Sequence, residues 1–209
     1  MLKIIIADDH AIVRRGLKDM ILDQYPFALI GEASDSEELI QKVFLSAWDV
    51  IICDLMMPGR SGLDALKQLK HSFPQIPVLV MSMCTEDQYA VRAMKLGASG
   101  YFTKASIHND LIQGIETVRA GRKFITPPIA DKLLEALGQK DGIEPHKLLS
   151  NREFDVFKLL VSGRTVTEIA YILSLSSNTI STYRSRILEK MMMHSNAELI
   201  RYALEKKLL

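Results

Sequence analysis

Val50-Ile51-Ile52-Cys53-Asp54-Leu55-Met56-Met57-Pro58-Gly59 runs four apolar residues into one carboxylate and then breaks at Pro-Gly. A short unbroken apolar run, rich in β-branched residues and closed by a turn signal, fits a strand buried on both faces. Residues 2–7 and 78–81 repeat the apolar pattern, 29–33 can be a strand, and 100–103 is a shorter one. Between these runs lie segments with helical spacing: 11–23 (Ile12, Leu17, Met20, Ile21), 35–46, 62–72 (Leu63, Leu66, Leu69), 86–96 and 107–120. Strands alternating with helices of this length imply an α/β doubly wound, parallel, five-stranded sheet with helices on both faces.

The pattern stops near Gly121. Thr126-Pro127-Pro128 is a stop signal, 129–137 can form a short helix, and 138–147 carries two glycines, a proline and charges. The last 62 residues lack strand signals and read as four helices. Ser150 with Glu153 and Thr165 with Glu168 have capping-box spacing, and Ser176 can cap a third helix. The first of these helices has Phe154, Phe157, Leu160 and Val161 on its apolar stripe, with Gly163 as terminator. The second, 165–173, turns Ile169, Ile172 and Leu173 inward, and a fourth spans 197–207. The organisation read from sequence is therefore a first domain at 1–121, a linker with a short helix at 122–147, and an all-α four-helix domain at 148–209.

The chain of 209 residues holds 26 basic and 25 acidic side chains and is 48% apolar. That is enough to bury a core, and no apolar run is long enough to span a membrane. The N-terminal segment reaches two aspartates too soon for a secretory signal. Cys53 and Cys84 sit in apolar runs, which suggests packing thiols in a reducing cytoplasm. Charge is uneven: net −3 over 1–121, +1 over 122–147 and +3 over 148–209. An acidic front and a basic back suggest two domains with different partners.

In a parallel sheet the strand ends share one edge. Asp8 and Asp9 follow the first strand, Asp54 ends the third, Ser82 the fourth, and Lys104 follows the fifth. Three carboxylates this close would repel unless a cation joined them, and hard oxygen donors with room for water suit Mg²⁺. A metal, a lysine and a hydroxyl around one carboxylate make a site for a phosphoryl group, with the carboxylate oxygen as nucleophile. His10 reads as a polar residue at the loop entrance, because Mg²⁺ prefers oxygen.

The residues 165–173 and 176–191 suggest a helix-turn-helix. With Ile180 at 0° and about 100° per residue, Tyr183, Ile187, Leu188 and Met191 form the inner face. Asn178, Thr182, Ser185 and Glu189 lie opposite, flanked by Ser181 and Arg186. That polar face is free to meet duplex DNA.

Ile6-Ala7-Asp8-Asp9-His10, the 49–59 stretch, Met81-Ser82 and Gly97-Ala98-Ser99-Gly100-Tyr101-Phe102-Thr103-Lys104 resemble the motifs of a two-component receiver domain, which is flavodoxin-like. The resemblance implies that Asp54 takes a phosphoryl group from a sensor histidine kinase. It implies Mg²⁺ held by Asp9 directly, Asp8 mainly through water, Asp54, and the Met56 backbone carbonyl. Lys104 would hold a phosphoryl oxygen, Ser82 another, and Tyr101 would be the aromatic partner of the switch. Met83 and Ala105 depart from the usual pattern: the first could narrow access to Asp54, the second stands where many receivers have proline. Leu149-Ser150-Asn151-Arg152-Glu153, Glu168-Ile169-Ala170 and Asn178 to Ile187 resemble the LuxR-type helix-turn-helix. The whole chain thus resembles the NarL/FixJ response regulators. This implies a recognition helix at 176–190, for which Thr179 and Arg186 are candidates for phosphate contacts and Ser181, Thr182 and Ser185 for base edges; Arg184 extends to a phosphate or to a partner subunit, and Lys190 completes the DNA-binding set. It also implies a homodimer on DNA, with 199–208 as one dimer surface. Ser181 and Tyr183 replace residues usual in the family, and Met192 stands where a glycine or small polar residue is common. A hydrolase using an aspartyl-phosphate stays open as an alternative, as does a helical tail that binds protein. No nucleotide-binding glycine motif accompanies the acids.

Overall fold

A computed structural model describes residues 1–57, 60–82, 87–138 and 144–209. Met83 and Cys84 lie outside the described residues. The chain divides into two compact units, Met1–Gly138 and Gln139–Leu209.

The first unit holds β1 (Lys3–Ala7), β2 (Leu29–Ala33), β3 (Val50–Asp54), β4 (Val78–Ser82) and β5 (Gly100–Thr103). All pair in parallel, in the order β2-β1-β3-β4-β5. The helices are α1 (Ala11–Gln24), α2 (Ser36–Leu45), α3 (Gly62–Ser72), α4 (Asp87–Lys95), α5 (Ile107–Arg119) and α6 (Pro127–Gly138). The doubly wound sheet read from the sequence is the sheet observed. Strand alternation sorts the core: Ile4, Ile6, Val50, Ile52, Leu79, Met81 and Phe102 pack with Leu17 and Ile21 of α1 and with Leu111, Ile115 and Val118 of α5. The residues between them, such as Ile5, Ile51 and Val80, are equally buried and belong to the opposite face. Central strands buried on both faces explain why the sequence reads as unbroken apolar runs.

The first compact unit runs on past Gly121 to Gly138. Phe124 makes a parallel bridge to Gly100 at the edge of β5 and packs edge-on against Phe102, ring centroids 6.4 Å apart. Helix α6 then lies against α4, with Ile129 buried. The short helix expected within 122–147 is α6.

The second unit holds a 3₁₀ turn (Pro145–Leu148), α7 (Asn151–Val161), α8 (Val166–Ile172), α9 (Ser177–Met191) and α10 (Asn196–Glu205). Capping serines and threonine set the starts. Ser150 accepts from Glu153 N at 3.3 Å while Glu153 accepts from Ser150 N at 2.8 Å. Thr165 and Glu168 do the same, and Ser176 accepts from Thr179 N at 3.1 Å. Each such cap contributes about 1 kcal/mol. The core is Phe154, Phe157, Ile169, Ile180, Ile187 and Leu199, all fully buried. Ile172 is not inward as its spacing suggested: it is 38% exposed, beside Tyr171 at 88%, because α8 is short and ends there. α9 closes on Met192 at φ 53°, a left-handed conformation that glycine adopts more readily. Among the described residues no helix is long and apolar enough to cross a membrane.

Candidate phosphoryl site and nucleic-acid interface

Strand register explains how four distant segments meet. Ala7 pairs with Cys53, Asp54 with Met81, and Ser82 with Thr103. The residues at or just past these ends therefore share one edge. Lys104 Nζ lies 2.6 Å from both Asp8 Oδ2 and Asp54 Oδ2, with Asp8 and Asp54 side chains 0% and 1% exposed. Asp54 Oδ1 accepts from Met56 N at 3.0 Å. Lys104 N donates to Ser82 O at 2.8 Å, which fixes the lysine beside β4. Gly62 lets α3 begin against Leu55: an added Cβ would meet the Leu55 carbonyl oxygen at 2.5 Å. The loop carrying Met56 is held down by this close approach.

Electrostatics follow from burial. Loss of water pushes the Asp54 carboxyl above its ordinary range, against the pull of Lys104. Burial alone would lower Lys104, but Asp54 and Asp8 outweigh it and hold the ammonium above its ordinary range. Burial pushes the Cys53 thiol up, with Asp54 and Asp8 adding to the effect, so Cys53 is a packing residue and not a thiolate. Ser82 and Tyr101 are both buried, at 0% and 1% exposed. Lys104–Ala105 is a trans peptide, since the described residues contain no cis bond.

The donors suit a hard cation. Asp8 Oδ2 and Asp9 Oδ1 are buried without a well-directed hydrogen bond, although Lys104 and His10 nitrogens lie near them. Anionic oxygens left so are what a divalent ion would satisfy. His10 Nδ1 sits 2.7 Å from Asp9 Oδ1, and its side chain is 62% exposed at the mouth of the site. Asp8, Asp9 and His10 form the acidic cluster there. The sequence reading gave no role to Arg14, whose Nη1 donates to the Asp8 carbonyl at 2.7 Å.

In the second unit, Ile180, Ile187 and Met191 bury the inner face of α9, while Asn178, Ser181, Thr182, Ser185 and Arg186 are exposed. Two hydroxyls bond back to their own helix, Thr182 to Asn178 O at 3.0 Å and Ser185 to Ser181 O at 3.1 Å. Thr179 is half-buried and 2.8 Å from Ser176 Oγ. Arg184 and Lys190 are turned to partners within the unit. Arg184 Nε donates to Asn196 Oδ1 at 2.7 Å, and Lys190 Nζ lies 2.6 Å from Glu153 Oε2. Arg152, which carried no role in the sequence reading beyond its place in the motif, donates to Leu173 O at 3.1 Å and lies 3.5 Å from Asp155 Oδ2. It ties α7 to the turn between α8 and α9.

A parallel sheet with acids and a lysine at one edge, followed by a helix-turn-helix unit, defines a response regulator. The family model for the response regulator receiver domain matches residues 4–116, and that for bacterial regulatory proteins of the luxR family matches 147–203. The chain belongs to the response regulators that join a receiver domain to a LuxR-type DNA-binding domain, as in the NarL/FixJ family. It is 36% identical over 200 residues to response regulator GacA of Pseudomonas syringae pv. syringae, covering 95% of this chain and 94% of that protein. It is 35% identical over 215 residues to oxygen regulatory protein NreC of Staphylococcus carnosus, covering 100% and 99%. Among solved structures it is similar to RcsB from Salmonella enterica serovar Typhimurium bound to promoter rprA in the presence of phosphomimetic BeF3−. That match has TM-score 0.64 and 29% identity, and covers 97% of this chain and 98% of that one.

Proposed function

We propose that Asp54 accepts a phosphoryl group from a sensor histidine kinase and that this controls binding of α9 to duplex DNA. The observation that carries the reading is the buried Lys104 ammonium 2.6 Å from both Asp54 and Asp8. An Asp54 oxygen attacks phosphorus, the O–P bond forms, the P–N bond to the kinase imidazole breaks, and that imidazole keeps the electron pair. Asp8, Asp9, Asp54 and the Met56 carbonyl would hold Mg²⁺, which supplies charge neutralisation at the phosphoryl oxygens. Lys104 releases Asp54 and neutralises a phosphoryl oxygen; Ser82 donates to another, and Tyr101 repacks with it. The chemistry is phosphoryl acceptance and self-limited loss, not substrate turnover.

On DNA, α9 enters the major groove. Thr179 and Arg186 face phosphates, and Ser181, Thr182 and Ser185 face base edges. Arg184 and Lys190, held within the unit, position the helix in place of contacting DNA. The site of action is the cytoplasm, where the operator is. The active form is a homodimer that uses the outer side of α10. Leu199 and Ala203 are fully buried in their own unit, whereas Leu204 is 61% exposed and Ile200 half-buried. RcsB has been solved as dimers bound to DNA.

The test is intact-mass measurement after incubation with acetyl phosphate and Mg²⁺, together with gel shifts on genomic fragments. One phosphoryl group on the unaltered chain, none on Asp54→Asn, and tighter DNA binding with more dimer on phosphorylation are expected. Equal stable phosphorylation of Asp54→Asn would refute the acceptor assignment. Full affinity as a monomer on one half-site would refute the dimer.

A further inference from the structure

We propose that Arg14 is a positioning residue for the acidic loop that holds the divalent cation, an inference that rests on the metal reading above. Asp8 is the last fully buried residue before that loop, and its peptide groups are held from two sides. Its amide donates to Ala33 O at 3.2 Å, at the end of β2. Its carbonyl accepts from Arg14 Nη1 at 2.7 Å. That carbonyl belongs to the peptide joining Asp8 to Asp9, so its orientation sets the direction in which Asp9 leaves the strand.

Arg14 is itself held. Its side chain is 16% exposed, and its Nε lies 3.4 Å from Glu32 Oε2. The other oxygen of Glu32 lies 3.1 Å from Lys18 Nζ. Glu32 stands on β2 opposite Ile6, next to Ala33, which takes the Asp8 amide. Arg14 N donates to His10 O at 3.2 Å, in the first turn of α1. The guanidinium therefore joins β2, the start of α1 and the acidic loop through one planar group. A lysine ammonium cannot reproduce that fork, because it is a single point donor on a flexible stem.

Two physical effects of Arg14 on a cation have opposite sign. As a fixed positive charge near the acids it repels the cation, so its removal would tighten binding. As a pin on the Asp8–Asp9 peptide it holds the carboxylates where a small cation with strict octahedral demands can use them. Removal would then weaken binding, and groups that orient metal ligands typically matter ~10–100-fold. The donor is short, little exposed and anchored by Glu32, so the pin outweighs the charge.

The experiment is Mn²⁺ binding to the full chain, followed by the electron paramagnetic resonance of free Mn²⁺ and by competition with Mg²⁺. Arg14→Ala, Arg14→Lys and Glu32→Gln are compared with the unaltered chain, with thermal unfolding measured in parallel. Arg14→Ala is expected to weaken Mn²⁺ at least about 10-fold. Arg14→Lys is expected to recover folding stability but not affinity, and Glu32→Gln to weaken binding less than Arg14→Ala. Arg14→Lys carries the test if Arg14→Ala fails to fold. Tighter Mn²⁺ binding in the variants would show that charge wins and overturn the proposal. Unchanged affinity with lower stability would overturn it too, leaving Arg14 a purely structural pin. Asp9→Asn marks the separate failure: if it binds Mn²⁺ as well as the unaltered chain does, or if neither binds, the metal reading falls and the role of Arg14 falls with it.

Discussion

Lys190→Met separates two roles for one residue. A lysine near the end of a recognition helix reads naturally as a phosphate ligand. The structure instead puts its Nζ 2.6 Å from Glu153 Oε2, where Glu153 is 4% exposed and Lys190 42% exposed. Removing the lysine strips a buried carboxylate of its cation, which costs about 1–3 kcal/mol. The Ser150 amide still donates to that carboxylate at 2.8 Å, and the half-exposed lysine gives up little of its own. We therefore expect ~1–2 kcal/mol from the general cost of orphaning a buried acceptor. In a helical unit of this size that lowers its Tm by about 4–16 °C. The loss should depend on pH. Burial raises the Glu153 carboxyl, but Lys190 and the Ser150 donors outweigh it and hold it below the ordinary range. A depressed carboxylate stabilises the fold above its unfolded pKa of about 4.3, and the contribution fades as pH falls through the lower folded value. The Lys190→Met deficit should thus be full at pH 7 and shrink toward pH 3. Calorimetry of the full chain reads the helical unit, and the single tryptophan, Trp48 in the first unit, is the internal control. A DNA salt slope unchanged within error is expected. An unaltered Tm together with a slope shallower by about 0.9 would show that Lys190 is a phosphate ligand after all.

Arg152→Met should destabilise the helical unit by about 3–5 kcal/mol, because it breaks a buried ion pair and frees the α8–α9 turn; calorimetry and loss of DNA binding check it, and near-neutral stability would refute it. Met192→Gly should stabilise the same unit by roughly 0.5–1 kcal/mol, since a left-handed L-residue costs about 1–2 and glycine returns part of that in unfolded-state freedom; chemical denaturation reads the change. In the first unit, hydrogen bonds from Lys42 and from Ser34 pull the Glu38 carboxyl down to about 2. Its contribution is present above the unfolded value near 4.3 and is lost as pH falls toward 2. Glu38 is 36% exposed, so the effect is small; Glu38→Gln should flatten this part of the acid-unfolding curve without altering stability slopes above pH 6.

What the sequence exposes and what it hides divide along a physical line. β1, β3 and β4 announce themselves because a strand buried on both faces has no polar alternation. β2 is an edge strand with Gly31 and Glu32 and a half-exposed pattern, yet its place between two helical segments fixes it. The acids at the strand ends are legible because parallel topology carries every carboxyl-terminal end to one edge. Helix α6 is legible as a short helix, but its packing is hidden: nothing in the sequence shows that it lies against α4. The cations are hidden for the same reason. Arg14, Arg152 and Lys190 sit on helices at positions that look solvated, and their partners lie 18, 21 and 37 residues away for Glu32, Leu173 and Glu153. No local periodicity encodes a pairing that the tertiary packing creates. Tyr183 and Leu188, by contrast, lie half-buried on the face the helical wheel assigns them.

The side-chain partners on α9 limit what this helix can offer DNA. Thr182 and Ser185 spend their hydroxyl protons on the carbonyls of Asn178 and Ser181, so in the proposed complex they would meet a base edge as acceptors. Donation on that face falls to Asn178, Ser181 and Arg186. Among the described residues Arg186 has no protein partner, while Arg184 and Lys190 are tied to Asn196 and Glu153. Arg164, just ahead of α8, is 55% exposed and only loosely paired with Glu168 at 3.5 Å, and it would add a second cation for the backbone in the proposed complex. Were Arg186 and Arg164 the phosphate contacts of each unit, the salt slope would be roughly 2, far short of what 6–10 phosphate contacts provide. Under the proposed dimer, two units on one duplex would make the second contact effectively intramolecular and gain ~10²–10⁴. If the proposed homodimer forms on DNA, a recognition helix this poor in unpaired cations would make dimer formation the step at which phosphorylation of the first unit has leverage, because no change within a single α9 could supply that gain.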